Sequence, residues 1–195
     1  MNFRGSDGQR IIHRSAGLKN WGKEMQDDID DGAKQLIADG ITDANQICIA
    51  GASYGRYAAL MGVVKTPNFY QCAISIADVS SVYDLVRDNR RFWASYKVVE
   101  EQVGSMGSHL HAISPVTRAK EIKVPVLLVH GDSDRQVNVK HSRNMRDELK
   151  KSGKKHTYVE LLNEDHYLAN ETNRLVTFNA LSDFLDEHLP ANIEE

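Results

Sequence analysis

Gly51-Ala52-Ser53-Tyr54-Gly55 sets a serine between two glycines, each two positions away. An apolar, β-branched run, Gln46-Ile47-Cys48-Ile49-Ala50, leads into it, and Tyr57-Ala58-Ala59-Leu60-Met61 continues as a helical run. Strand, tight turn and helix around G-x-S-x-G is the pattern of a nucleophile elbow. A serine hydroxyl is a weak nucleophile and has to be presented both to a base and to a carbonyl. A tight turn lifts it clear of the sheet, and the flanking glycines relieve the backbone crowding that results. The Tyr54 amide would then point at a developing oxyanion from a helix N-terminus, which favours negative charge.

Two more groups complete a constellation. Val124-Pro125-Val126-Leu127-Leu128-Val129-His130 is the clearest strand of the chain, and it ends in Gly131-Asp132-Ser133-Asp134. His156 to Leu162 is a further strand, followed by Asn163-Glu164-Asp165-His166. Acids and bases just past the carboxyl ends of parallel strands are candidates for chemistry. The order Ser53, Asp134, His166 is that of an α/β-hydrolase triad. In that arrangement Ser53 attacks an acyl carbon, His166 takes its proton and passes it to the leaving group, and Asp134 orients the imidazole. His130, at its strand's end, is expected to order the acid loop.

The elements that must position these groups alternate along the chain. Residues 21–40 read as a helix with Met25, Ile29, Ala33, Leu36 and Ile37 on one face. Asp27, Asp28, Asp30 and Asp31 lie mostly on its other faces, in solvated or capping roles. Strands are expected at Gln46–Ala50, Gln71–Ala77, Val124–His130 and His156–Leu162. Helices are expected at Ser53–Lys65, Ser80–Arg87 and Asn138–Ser152. A last helix, capped by Asn170, runs to Leu189 with Leu175, Phe178, Leu181, Leu185 and Leu189 inward. Asp88–His111, with Phe92, Trp93 and Tyr96, reads as surface helices packed by their aromatics or as a substrate-facing cap. This alternation predicts an α/β fold, a mostly parallel sheet with helices on both faces.

Composition narrows the function classes. The 195 residues suit one domain with a sizeable core. The net charge of −3 with interspersed signs gives no nucleic-acid or membrane partner. Cys48 and Cys72 lie in apolar runs and are expected as buried free thiols. No metal or cofactor is implied, and no Gly-rich phosphate loop follows the first strand. With no apolar stretch long enough for a bilayer and no leader pattern, a cytoplasmic enzyme is expected.

The chain resembles the C-terminal catalytic domain of the prolyl oligopeptidase-like serine peptidases, on the acylaminoacyl- and dipeptidyl-peptidase branch. The matching stretches are Asn2-Phe3-Arg4-Gly5-Ser6, Trp21-Gly22 with Asp27-Asp28, Gly51 to Gly55, Ser114-Pro115, Pro125 to Asp134 and Glu164-Asp165-His166. The resemblance implies an α/β-hydrolase fold and makes Asp134, rather than Asp132, the triad acid. It also implies that Gln136 contacts substrate backbone and that Val137 lines the pocket for the residue before the scissile bond. By the same resemblance the chain starts at the end of the family's fourth strand. It lacks the first three strands, the tyrosine donor of the oxyanion hole and the β-propeller. Two positions depart from the family: Gly55-Arg56 stands where Gly-Gly is usual, and Asp7-Gly8-Gln9 stands where glycine-tyrosine-glycine is usual.

The resulting expectation is a serine hydrolase acting on small esters, with aminoacyl or peptide bonds second. Its activity would be weak because the usual tyrosine donor is missing; peptidase turnover comparable with ester turnover would mean that Tyr83, Tyr96 or a neighbouring subunit replaces it. The rival expectation is an impaired remnant serving as a binding or assembly domain. An unpaired strand at Gln46–Ala50 predicts a homodimer or higher oligomer.

Overall fold

The structure, a computed structural model, describes residues 2–190. Four strands form one parallel sheet in the order β1 (Cys48–Ala52), β2 (Cys72–Ile76), β3 (Val126–Gly131) and β4 (His156–Leu161). All six residues of β3 are buried, as a central strand covered on both faces requires. Each expected strand is present, shifted by at most two residues at either end.

Two helices that face the sheet follow their strands directly. α3 (Tyr54–Lys65) packs on β1 and β2, and α7 (Lys140–Lys151) on β3 and β4. Leu60, Val63, Ala73, Val126, Leu128, Met145 and Leu149 share that core with Trp21 and Met25. On the opposite face α8 (Glu171–His188) covers β3 and β4, where Phe184 meets Ile74, Leu127, Val129 and Leu161. Truncating a core residue such as Leu127 to Ala would cost about 2–5 kcal/mol. The remaining helices are α1 (Ile11–Ser15), α2 (Glu24–Ala38), α4 (Val82–Asn89), α5 (Trp93–Val103) and α6 (His109–Ala112), with a 3₁₀ segment at Pro115–Glu121.

Four expectations are corrected. Cys48 and Cys72 are joined in a disulfide rather than free: they are direct partners in the β1–β2 register, on the same face, with Cα atoms 4.7 Å apart. On α8 the buried side chains are Thr177 and Phe184, with Leu181 and Leu185 partly buried, whereas Leu175 and Phe178 are exposed. Apolar residues surround this helix, so spacing alone does not identify the face that meets the sheet. Asp30 is buried, accepting hydrogen bonds from Tyr70 Oη (2.6 Å) and Thr66 Oγ1 (3.2 Å). Phe92 and Trp93 are exposed instead of packing the surface helices.

The β1 edge has no strand beside it among the described residues. Beside it, α2 and β1 bound an apolar groove of about 630 Å³, lined by Phe3, Ile29, Leu36, Ile47, Ile49 and Tyr70. Met25 of the expected α2 stripe enters the core, while Ile29, Ala33 and Leu36 face this groove.

Candidate active site

Ser53 sits at the turn from β1 into α3, as the residue before the first helical position. Its φ of 54° and ψ of −129° are strained for a residue with a side chain. The turn is tight because Gly51 passes the Gly55 backbone so closely that a Cβ on Gly51 would overlap the Gly55 carbonyl. A Cβ on Gly55 would meet nothing. The first glycine, rather than the second, is the one this turn requires. Ser53 is exposed, and Tyr54, first in α3, presents an N–H with no intrahelical acceptor.

Backbone strain recurs along the same edge of the sheet. Ala77 (φ 58°) follows β2, and Asn163 (φ 53°) and Leu168 (φ 53°) bracket the loop after β4. That loop is pressed against the end of β3: a Cβ on Gly131 would overlap the Glu164 carbonyl, which also accepts from the Ser133 N–H at 3.0 Å. Glu164 is itself buried, and its Oε1 accepts from the Asp165 N–H at 3.1 Å and the Asn170 N–H at 3.4 Å. Sequence reading gave Glu164 no separate role, yet it shapes the loop that carries His166.

This packing brings Asp134 and His166 together. His166 Nδ1 lies 2.7 Å from Asp134 Oδ2, and the Asp134 side chain is inaccessible to solvent. Asp134 Oδ1 accepts from the N–H groups of Gln136 (2.8 Å) and Val137 (2.9 Å). Burial alone would raise its pKa, but His130, the Val137 N–H, His166 and the Gln136 N–H hold it well below the usual carboxylate range. Among the described residues Asp132 makes no hydrogen bond to the imidazole, and its Oδ1 accepts from Ser133 Oγ at 2.9 Å.

His130 lies beneath this pair, fully buried. Its Nε2 is 3.1 Å from the Val137 carbonyl and 3.4 Å from Asp134 Oδ2, and its Nδ1 is 2.6 Å from Ser142 Oγ. Ser142 in turn donates to Asp78. Burial opposes a charge on His130, but the Asp134 and Asp78 carboxylates outweigh it and push the pKa up to about 9. The buried imidazolium therefore joins the end of β2 to the acid loop after β3.

The third triad contact differs from expectation. Ser53 Oγ makes no hydrogen bond among the described residues, and His166 Nε2 instead faces Arg56 Nη1 at 3.4 Å. Arg56 is 7% exposed. Burial pulls its guanidinium below the ordinary value, opposed by the charges of Asp134 and Asp78. The other expected contributors fall as follows. Gln136 is exposed, and its Nε2 donates to Tyr167 Oη at 2.7 Å, beside His166. Val137 is buried and floors a cleft of about 860 Å³, whose walls include Leu85, Phe92, Arg91, Arg135 and Lys140. The Tyr96 hydroxyl is committed to Glu100 (2.9 Å) and the Tyr83 ring stacks on His111, so neither is bonded at the elbow.

Comparison with known proteins identifies the fold and the family. The chain is 32% identical over 203 residues to dipeptidyl aminopeptidase BIII of Pseudoxanthomonas mexicana, covering all of this chain and 29% of that protein. It is 27% identical over 196 residues to dipeptidyl peptidase family member 6 of Caenorhabditis elegans, covering 97% of this chain and 26% of the relative. The chain thus spans under a third of either relative. Among solved structures, a puromycin-hydrolyzing peptidase of Mycobacterium tuberculosis superposes with a TM-score of 0.89 at 22% identity, over 96% of this chain and 29% of that one. The acylaminoacyl peptidase of Pyrococcus horikoshii superposes with a TM-score of 0.87 at 22% identity, over 100% of this chain and 32% of that one. The fold is that of the α/β-hydrolase peptidases. The sequence profile of the prolyl oligopeptidase family matches residues 1–192, and this chain belongs to that family of serine-type peptidases.

Proposed function

We propose that this chain is the catalytic portion of a serine-type peptidase that cleaves aminoacyl or peptide bonds through an acyl-enzyme. Ser53 is the nucleophile, His166 the general base and then acid, and Asp134 the orienting acid. The observation that carries this reading is the 2.7 Å contact between His166 Nδ1 and the buried Asp134 side chain, with His166 Nε2 3.4 Å from Arg56 Nη1 in the first turn of the helix that follows the exposed, strained Ser53. With Nδ1–H donated to Asp134, the imidazole lone pair that takes the serine proton is on Nε2.

In the first step Ser53 Oγ attacks the acyl carbon as its proton passes to His166 Nε2. The Tyr54 N–H stabilises the oxyanion, and the imidazolium then protonates the departing amine. Water repeats the sequence to release the acyl group. Removing one oxyanion donor costs about 10²–10³-fold in turnover. With only the Tyr54 N–H assigned, activated esters should turn over faster than peptides. The relatives' names, dipeptidyl aminopeptidase and acylaminoacyl peptidase among them, point to short peptides as the natural substrate class. The cleft floored by Val137 is the candidate pocket for the residue before the scissile bond, with Gln136 at its rim.

A fluorophosphonate probe tests the reading. The unsubstituted protein should be labelled and should hydrolyse p-nitrophenyl esters; Ser53→Ala should lose both while melting at the same temperature. Ester turnover surviving in Ser53→Ala would exclude this mechanism.

A further inference from the structure

Arg56 occupies an unusual place for a cation. It is the third residue of α3, in a first turn whose free N–H groups disfavour positive charge. It is 7% exposed, and its Nε is buried without a hydrogen-bond partner among the described residues. Its carbonyl accepts from Ser75 Oγ at 3.1 Å, so the backbone is fixed to β2. Such a site must be offset by specific neighbours, because an unpaired buried charge is strongly destabilising. Asp134, Asp78 and His166 are those neighbours.

The contact with His166 bears directly on the proposed reaction. Arginine is always a donor. With Nδ1–H given to Asp134, the group facing Arg56 Nη1 is the Nε2 lone pair. Ser53 needs that same lone pair for its proton. The imidazolium formed during attack would also face a guanidinium, and like charges at that range oppose each other. Among the described residues Asp78 Oδ2 is buried without a partner, and the charge of Asp78 acts on Arg56 together with that of Asp134.

We infer that Arg56 is a positioning residue that withholds His166 Nε2 from Ser53 and so restrains the serine's reactivity. The inference rests on the serine reading above. No bond forms or breaks in the restraint: one hydrogen bond to Nε2 replaces another.

The test compares the unsubstituted protein with Arg56→Met, which keeps length without a donor, and Arg56→Lys, which keeps the charge and a donor. Fluorophosphonate labelling of Arg56→Met should be roughly ten- to a hundredfold faster, the range of one hydrogen bond to a charged group. For an activated ester the gain should appear in kcat with KM unchanged, and Arg56→Lys should stay near the unsubstituted rate. A merely structural arginine would lower stability and leave kcat alone. Labelling of a folded Arg56→Met at or below the unsubstituted rate sinks this inference alone. No labelling of either protein sinks the serine reading and this inference with it. Should Arg56→Met fail to fold, nitrogen-15 spectra of the unsubstituted protein decide. An Arg56 Nη–H signal resolved from the averaged guanidinium, and lost in His166→Gln, is expected. A freely averaging Arg56 guanidinium, indifferent to His166, overturns the inference.

Discussion

At the scale of single residues, the carboxylates after β3 divide their work by where they point. Asp134 meets both His166 and His130, while Asp132 serves only its own loop. Asp134→Asn should lower ester turnover by about 10⁴-fold, the cost of a lost triad acid, and Asp132→Asn by far less. Equal losses in two folded proteins would show that both acids act on His166. His130 makes a second prediction, about stability. In the unfolded chain its imidazole titrates near 6.5, and between Asp78 and Asp134 near about 9. Between those values the folded state holds the extra proton. The stabilisation is complete below 6.5 and is lost as pH rises through about 9. The melting temperature should therefore fall from pH 6.5 to 9, and His130→Gln should flatten that slope. An unchanged slope in the variant would place the titration elsewhere.

At the scale of elements, the elbow depends on one glycine more than the other. Gly51→Ala drives a methyl into the Gly55 carbonyl, backbone that cannot yield without moving Ser53. Overpacking of this kind costs about 1–3 kcal/mol, and labelling of Ser53 should be lost with it. Gly55→Ala enters open space within a helix and should be neutral or stabilise by up to about 1 kcal/mol. Comparable damage from both in chemical denaturation would contradict this account of the turn. The same elements show what a sequence discloses. β3 could be read directly because a strand buried on both faces is written as an unbroken apolar run, and Asp134 and His166 stand just past such runs. The Cys48–Cys72 bond could not, because it depends on the β1–β2 register. The exposed side of α8 could not either, since Leu175 and Phe178 match the spacing of Leu181 and Leu185. Arg56 stood out as a departure from Gly-Gly, but its contact with His166 crosses 110 positions of chain, and only the folded backbone supplies that closeness.

At the scale of the whole molecule, the open β1 edge and the apolar groove beside it are surfaces that natural proteins seldom leave bare. We propose that this chain, taken by itself, self-associates through this side, with a two-fold dimer the simplest form. Sedimentation at low micromolar concentration should show a species heavier than one chain, and Leu36→Lys, at an exposed position of the groove, should shift it toward the monomer. A compact monomer with no tendency to associate would oppose the expectation. The order of the sheet has a further consequence, for synthesis. The strands lie side by side in the sequence in which they leave the ribosome, each joining the one made just before it. Among the described strands, Ser53 comes with β1, Asp134 follows β3 and His166 follows β4. The serine is therefore made before the imidazole proposed to activate it, and the proposed triad can be complete only once β4 has joined the sheet.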